Sequence, residues 1–240
     1  MKSNLLLVLS VLLLFSCSKK DNNGIPGSQN PLIKTISFGS TLMGSYWYDS
    51  QGRISCCRSV ETPDIDSVVY SYGNNTLLTM RYFNGILGEI EHGILVNGNV
   101  VSIKGNKADS SSYWSTYYTY DANGFMIREI HMDNDTVETW RAEYQVADGN
   151  IVSMTRTNYI PEVCTYEYFP GTTNTLGILQ HNVTFLGKNS KNLTRKIITT
   201  YSSGNPGEED DTYQYFDNGW VKEITSKMGS QTISIFVTYW

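Results

Sequence analysis

One unit recurs along this chain and limits what it can fold into. It pairs alternating tyrosines with a tight turn. Tyr46-Trp47-Tyr48-Asp49-Ser50-Gln51-Gly52, Tyr118-Thr119-Tyr120-Asp121-Ala122-Asn123-Gly124 and Tyr213-Gln214-Tyr215-Phe216-Asp217-Asn218-Gly219 are its clearest copies. Tyr70-Ser71-Tyr72-Gly73-Asn74-Asn75, Tyr144-Gln145-Val146-Ala147-Asp148-Gly149-Asn150 and Tyr166-Glu167-Tyr168-Phe169-Pro170-Gly171 are weaker ones, and Ile94-Leu95-Val96-Asn97-Gly98-Asn99 keeps only the turn. The turn positions Gly52, Asn75, Gly98, Gly124, Gly149 and Gly171 fall about 22 to 26 residues apart, and two copies are hard to place between 171 and 219. Asn-Gly and Asp-Gly supply the positive φ that tight reverse turns need, and alternating tyrosine suits a pleated strand with one buried face. Each period therefore reads as a hairpin of two strands, each about eight residues long.

The two faces can be assigned by alternation. Trp140, Ala142, Tyr144 and Val146 share one side of their strand, and Thr139, Arg141, Glu143 and Gln145 the other. Ile233, Ile235, Val237 and Tyr239 alternate likewise with Thr232, Ser234, Phe236 and Thr238. Residues 46–240 accommodate seven or eight hairpins, an all-β antiparallel meander of about 14–16 strands with no long helix after residue 17. A twisted sheet of that size curls, splits or closes, which predicts a barrel-like or two-layer sheet.

The 240 residues carry 18 Lys+Arg against 23 Asp+Glu, a net charge of -5, which argues against nucleic acid as a partner. Hydrophobic residues make up 40% and charged residues 17%, enough apolar content for a core.

The N-terminus reads as an export signal. Lys2 precedes an apolar run over residues 5–15, too short to span a bilayer as a helix and of signal-core length. The run ends at Leu14-Phe15-Ser16-Cys17, which resembles a bacterial lipobox. That resemblance implies cleavage before Cys17 and its lipidation. Residues 18–31 are polar and rich in Gly, Pro, Asn and Ser, as in a flexible tether. Ser18-Lys19-Lys20-Asp21-Asn22-Asn23 is similar to the surface-export signal of Bacteroidota lipoproteins, with a single acid. The expected organisation is a signal peptide over 1–16, a lipidated Cys and tether over 17–31, and one repeat-built β domain over 32–240.

The Tyr-x-Tyr-Asp-x-x-Gly copies look like the YD/RHS-type repeat, whose tandem hairpins build β-shells. With its lipobox and polar tether, the whole chain resembles a Bacteroidota lipoprotein family of unknown function described as having a porin-like fold. No catalytic residue carries over from that family.

Side chains able to carry chemistry are sparse. His92, His131 and His181 show no metal-ligand spacing, and no nucleophile elbow occurs. Cys56, Cys57 and Cys164 are an odd set; buried free thiols are the favoured reading, with a disulfide from Cys56 or Cys57 to Cys164 as the alternative. Asp133-Asn134-Asp135 and Glu208-Glu209-Asp210-Asp211 lack the spacing of a calcium loop and read as solvated hairpin loops. Asp66-Ser67-Val68 and Asp135-Thr136-Val137 resemble a short O-glycosylation motif of Bacteroides exported proteins. No cofactor or metal is expected. Trp47, Trp114, Trp140, Trp220 and Trp240 are ligand-stacking candidates by residue type, whereas the tyrosines pack along the sheet.

The function expected is that of an outer-membrane-anchored, non-catalytic β module, on the periplasmic or surface side. It binds a glycan or an envelope protein, or acts as a scaffold. A carbohydrate-active hydrolase and a membrane-spanning β-barrel are the alternatives; short strands and the lack of long alternating loops disfavour the second.

Overall fold

The computed structural model describes residues 31–60, 65–157, 161–176, 185–202, 204 and 206–240. Cys17, the export signal, the tether and His181 lie outside the described residues. Sixteen strands run in chain order. They are β1 (Ile33–Phe38), β2 (Thr41–Tyr48), β3 (Ile54–Val60), β4 (Ile65–Tyr72), β5 (Thr76–Phe83), β6 (Ile86–Val96), β7 (Asn99–Lys107) and β8 (Tyr113–Tyr120). β9 (Met126–Asp133), β10 (Val137–Ala147), β11 (Asn150–Thr157), β12 (Glu162–Tyr168), β13 (Thr194–Tyr201), β14 (Gly207–Tyr215), β15 (Val221–Met228) and β16 (Gln231–Tyr239) follow. Every strand pairs antiparallel with its chain neighbours, and β1 pairs with β16, so the meander closes into a barrel. No helix occurs among the described residues. The expected strand number is met, and of the two expected shapes the chain adopts the closed one.

The repeat has a local cause at the turns. In the hairpin β2–β3, the Asp49 carboxylate accepts the N–H groups of Gln51 and Arg53, both at 2.9 Å. In β8–β9, Asp121 holds Asn123 and Phe125 in the same way. The glycine three residues after each Asp takes a positive φ, 77° at Gly52 and 88° at Gly124. Residues with a Cβ resist that conformation. At Gly219 the Asp position is filled by Phe216, and the carbonyl of Phe216 still accepts the Gly219 N–H at 2.9 Å.

The tyrosines do more than pack. Those near the end of even-numbered strands point inward and donate to a carbonyl at the start of the preceding strand. Tyr48 reaches Ile33, Tyr72 reaches Ile54, Tyr120 reaches Val100, Tyr168 reaches Ile151, Tyr213 reaches Thr194 and Tyr239 reaches Val221, at 2.5 to 2.9 Å. A phenol that buries its ring and pairs its hydroxyl satisfies both halves of its chemistry. β6, whose turn copy lacks tyrosine, has no such latch among the described residues.

The Asp-Gly turns all lie at one end of the barrel, and that end is filled. Ile33, Ile54, Leu77, Val100, Met126, Ile151 and Val221 stand near the strand starts there, none more than 3% exposed. The described parts of the β12–β13 connection, 169–176 and 185–193, lie across this floor. Leu176 and Leu193 join the cluster of Ile33, Tyr48 and Ile54, and Phe185 joins Leu77 and Val100. Backbone bonds link Val100 to Phe185, Gly124 to Lys188 and Gly149 to Lys191. This plug occupies the region where regular turn copies are missing. At the opposite end, the described turns bond only to neighbouring hairpins, as Ala108 does to Gly88 and Asn134 to Tyr113.

One expectation changes. Glu208-Glu209-Asp210-Asp211 is not a loop: it lies within β14, paired with β13 and β15. Low strand propensity is outweighed there by pairing on both sides and by alternation, with Asp211 buried between exposed Asp210 and Thr212. Cys56, Cys57 and Cys164 form no disulfide, in line with the favoured reading; β3 and β12, which carry them, are not neighbours in the barrel.

Candidate functional site

Tyrosine phase fixes which side chains enter the lumen. Cross-strand partners share a face. Thus Val68 faces Arg81, Arg81 faces Glu89, Tyr118 faces Glu129, Ala142 faces Arg156, Arg156 faces Glu162, and Asp211 faces Ser226. These partners share the buried side with the tyrosines and the floor residues. Above the apolar floor and the tyrosine tier, the lumen therefore carries an ionic tier toward the end opposite the plug.

Most members of that tier are paired. Arg81 bonds Glu89 at 3.1 Å, and Arg156 bonds Glu162 at 2.7 Å. Tyr144 donates to Glu129 at 3.4 Å, and Ser226 donates to Asp211 at 2.5 Å. Burial raises the carboxyls of Glu91 and Glu129 above the ordinary carboxylate range. Burial, reinforced by the charge of Glu209, pushes Asp211 up to about 6. Burial and then neighbouring Cys57 push the Tyr46 phenol up to about 12.

Two hollows open between these side chains. One, of about 460 Å³, is bordered by Tyr46, Cys57, Ser59, Asp66, Tyr70 and Arg81. The other, of about 350 Å³, lies over β13–β16 and the plug. Ile36 borders both.

The candidate tryptophans divide between locations. Trp114 and Trp140 enter the lumen from β8 and β10. Trp114 lies over Gly105, where any Cβ would overlap its indole. Trp140 stacks on His131 with ring centres 5.7 Å apart, and the Arg156 guanidinium sits 5.6 Å from its ring. Trp47, between inward Tyr46 and Tyr48, faces outward. Trp220 and Trp240 belong to the plugged end: Trp220 packs on Tyr239, and Trp240 donates to the Tyr46 carbonyl at 3.1 Å. His92 is exposed on the outer wall. Asp135, in the β9–β10 turn, pairs with Lys104 and Ser115. Among the described residues no group of three His, Cys, Asp or Glu side chains is placed to hold a metal.

Of the lumen carboxylates, Glu209 and Asp211 stood out in sequence only as part of an acidic run read as a loop, yet a signal for their inward placement exists. Counting back from Tyr215 and Tyr213 in steps of two gives Asp211 and Glu209, which places both inside.

The outer wall differs. Charged pairs sit partway along its strands: Arg141 with Glu138 at 2.6 Å, Lys196 with Glu208 at 2.6 Å, and Arg128 with Glu143 at 3.9 Å. Eleven of the sixteen strands have eight residues or fewer.

No protein-family model and no curated protein matches the sequence. Solved structures do match in fold. A porin-like protein from Bacteroides uniformis superposes with a TM-score of 0.69 at 11% identity, covering 88% of this chain and 98% of that one. A porin-like protein from Bacteroides vulgatus gives 0.59 at 11%, covering 86% and 98%. The chain thus has a porin-like fold, an all-β antiparallel meander closed into a barrel.

Proposed function

We propose that this chain is an outer-membrane-associated lipoprotein, lipidated at Cys17, whose barrel stands in water as a cup. It binds a small ligand or an envelope partner through its open mouth and does not catalyse a reaction. The observation that carries this reading is the distribution of charge. Arg128, Arg141, Glu143 and Lys196 face outward partway along their strands, while the apolar and tyrosine layers face inward. A spanning barrel needs an outward apolar band about 25 Å tall, and a Lys or Arg at its midplane costs about 2–4 kcal/mol. Both chain ends of the barrel lie at the plugged end, where Trp240 bonds Leu32. An anchor at Cys17 therefore leaves the mouth free to face away from the membrane. Lumen residues Trp114 and Trp140 offer stacking faces near carboxylates, a combination that suits a glycan.

The likeness to two porin-like proteins favours a second reading, a membrane-spanning barrel. One experiment separates the two. The chain is exported once with its own signal and once behind an ordinary cleavable signal that omits Cys17, and membranes are extracted with alkaline carbonate. On the cup reading the chain lacking Cys17 is recovered soluble and folded. Its retention in the carbonate-resistant membrane fraction establishes the spanning barrel instead.

A further inference from the structure

The hollow over β13–β16 is amphipathic in a way that selects a ligand chemistry. Its volume of about 350 Å³ lies at the small end of ligand pockets, which run from about 300 to 1,000 Å³. Ile36, Ile224 and Ile235 border it with aliphatic surface, and Glu209, Asp211 and Ser226 border it with oxygen. Asp211 is 8% exposed. The Ser226 hydroxyl donates to it, while the neighbouring Tyr213 hydroxyl donates to the Thr194 carbonyl. Neither Asp211 nor Glu209 belongs to an ion pair among the described residues, whereas the lumen acids Glu89 and Glu162 each hold an arginine; Glu91 and Glu129 belong to none either. A carboxylate withdrawn from water without a cation is costly, and the cost falls when a cation enters.

We infer that this hollow is a binding site for a small organic ammonium ion, with its charged nitrogen between Asp211 and Glu209 and its alkyl part on Ile36, Ile224 and Ile235. Chemistry on the page separates this class from its rivals. A hard dication takes a shell of six or more oxygens, whereas five of the eleven residues bordering this hollow are aliphatic. A sugar ring stacks on an aromatic face, and Tyr213 is the single aromatic residue among those bordering this hollow, its hydroxyl tied to the Thr194 carbonyl. An ammonium group donates up to three hydrogen bonds, which two carboxylates and a hydroxyl can accept. This inference deepens the cup reading by naming a ligand class, but carbonate extraction and ligand binding give separate answers, so either can fail alone.

The test uses the full chain in lipid nanodiscs, with empty nanodiscs as the blank, and reads ligand signals by saturation-transfer NMR and titration calorimetry. The probes are n-butylammonium, 1-butanol and butyrate, equal in length and different in charge. Saturable binding of butylammonium is expected, with the alcohol at least about tenfold weaker, the size of one charge-assisted contact. The near-isosteric Asp211→Asn keeps the shape and weakens the amine by a similar factor; Glu209→Gln, on the same wall, weakens it too, and circular dichroism verifies that both variants stay folded. Equal binding of amine and alcohol overturns the inference. So does amine binding that neither variant changes, and so does the absence of saturation by the amine at millimolar concentration.

Discussion

Asn150 and Asn192 join the plug to the barrel floor, and cutting that link has a calculable effect. The Asn150 side chain donates to the Asn192 side chain at 3.0 Å and accepts the Asn192 backbone N–H at 2.9 Å. Both residues are buried, at 8% and 7% exposed. Asn150→Ala removes both bonds and strands two buried groups of Asn192, its N–H and its side-chain carbonyl. Each orphaned group costs about 1–3 kcal/mol, so the loss is about 2–6 kcal/mol. That is a large share of the ordinary 5–15 kcal/mol of a folded domain. Two readouts apply, because the plug can release without the barrel opening. Urea unfolding reports the global loss, which cannot exceed the free energy with which the plug is docked. Amide exchange at Lys191 and Leu193, bonded to Gly149 and Thr172, reports release of the plug itself. The expected outcome is a lower urea midpoint at unchanged slope, with faster exchange at those two amides. A change below about 0.5 kcal/mol, the size of an ordinary surface substitution, together with unaltered exchange, would refute the claim that the plug is a packed part of the core.

Three further outcomes follow from the same geometry. Asp211 titrates near 6 in the folded chain and near 3.8 when unfolded, so between these values the folded state keeps a proton that the unfolded chain has released. Its contribution to stability is therefore greatest at low pH and declines as pH rises to about 6; urea midpoints measured across that window should fall more for the native chain than for Asp211→Asn, and parallel curves would count against this. Gly105→Ala drives a methyl into the Trp114 indole, with an expected loss of about 1–3 kcal/mol and a shifted tryptophan emission; an unmoved spectrum means the ring does not lie on Gly105. Tyr120→Phe removes one latch to the Val100 carbonyl and should cost about 0.5–1.5 kcal/mol in thermal unfolding, whereas exposed Tyr117→Phe, on the outer face of the same strand, should cost almost nothing.

Local chemistry carried most of the architecture into readable sequence. The Asp-x-x-Gly turns are visible because the bonds that make them run between residues two and four apart, as from Asp49 to Gln51 and Arg53. Tyrosine and apolar alternation is visible because strand geometry repeats every two residues. Features that depend on distant partners were not visible. The 169–193 plug has no periodicity, and its asparagines and serines find their partners about 40 residues away, as Asn192 finds Asn150 and Ser190 finds Ile151. The acidic run 208–211 reads as a loop because composition signals one, while only its pairing with Lys196 to Ile198 and Ser226 to Met228 makes it a strand. The division of the tryptophans between lumen, outer wall and plugged end likewise needed the register, since residue type alone treats all five alike.

The seam between the first and last strands has a consequence for how the chain is made. Ile33 pairs with Tyr239, and Thr35 bonds Thr238 across 203 residues, so fifteen of the barrel's joints can form as synthesis proceeds and the sixteenth cannot. Until β16 emerges, β1 offers an unpaired edge, and an incomplete chain is a sheet with two sticky borders. The same seam makes the ring indifferent to where it is cut. Joining residues near 32 and 240 by a short linker and opening the chain at an exposed mouth turn such as Asn84-Gly85 yields a permuted protein that keeps all sixteen pairings while sealing a different joint last.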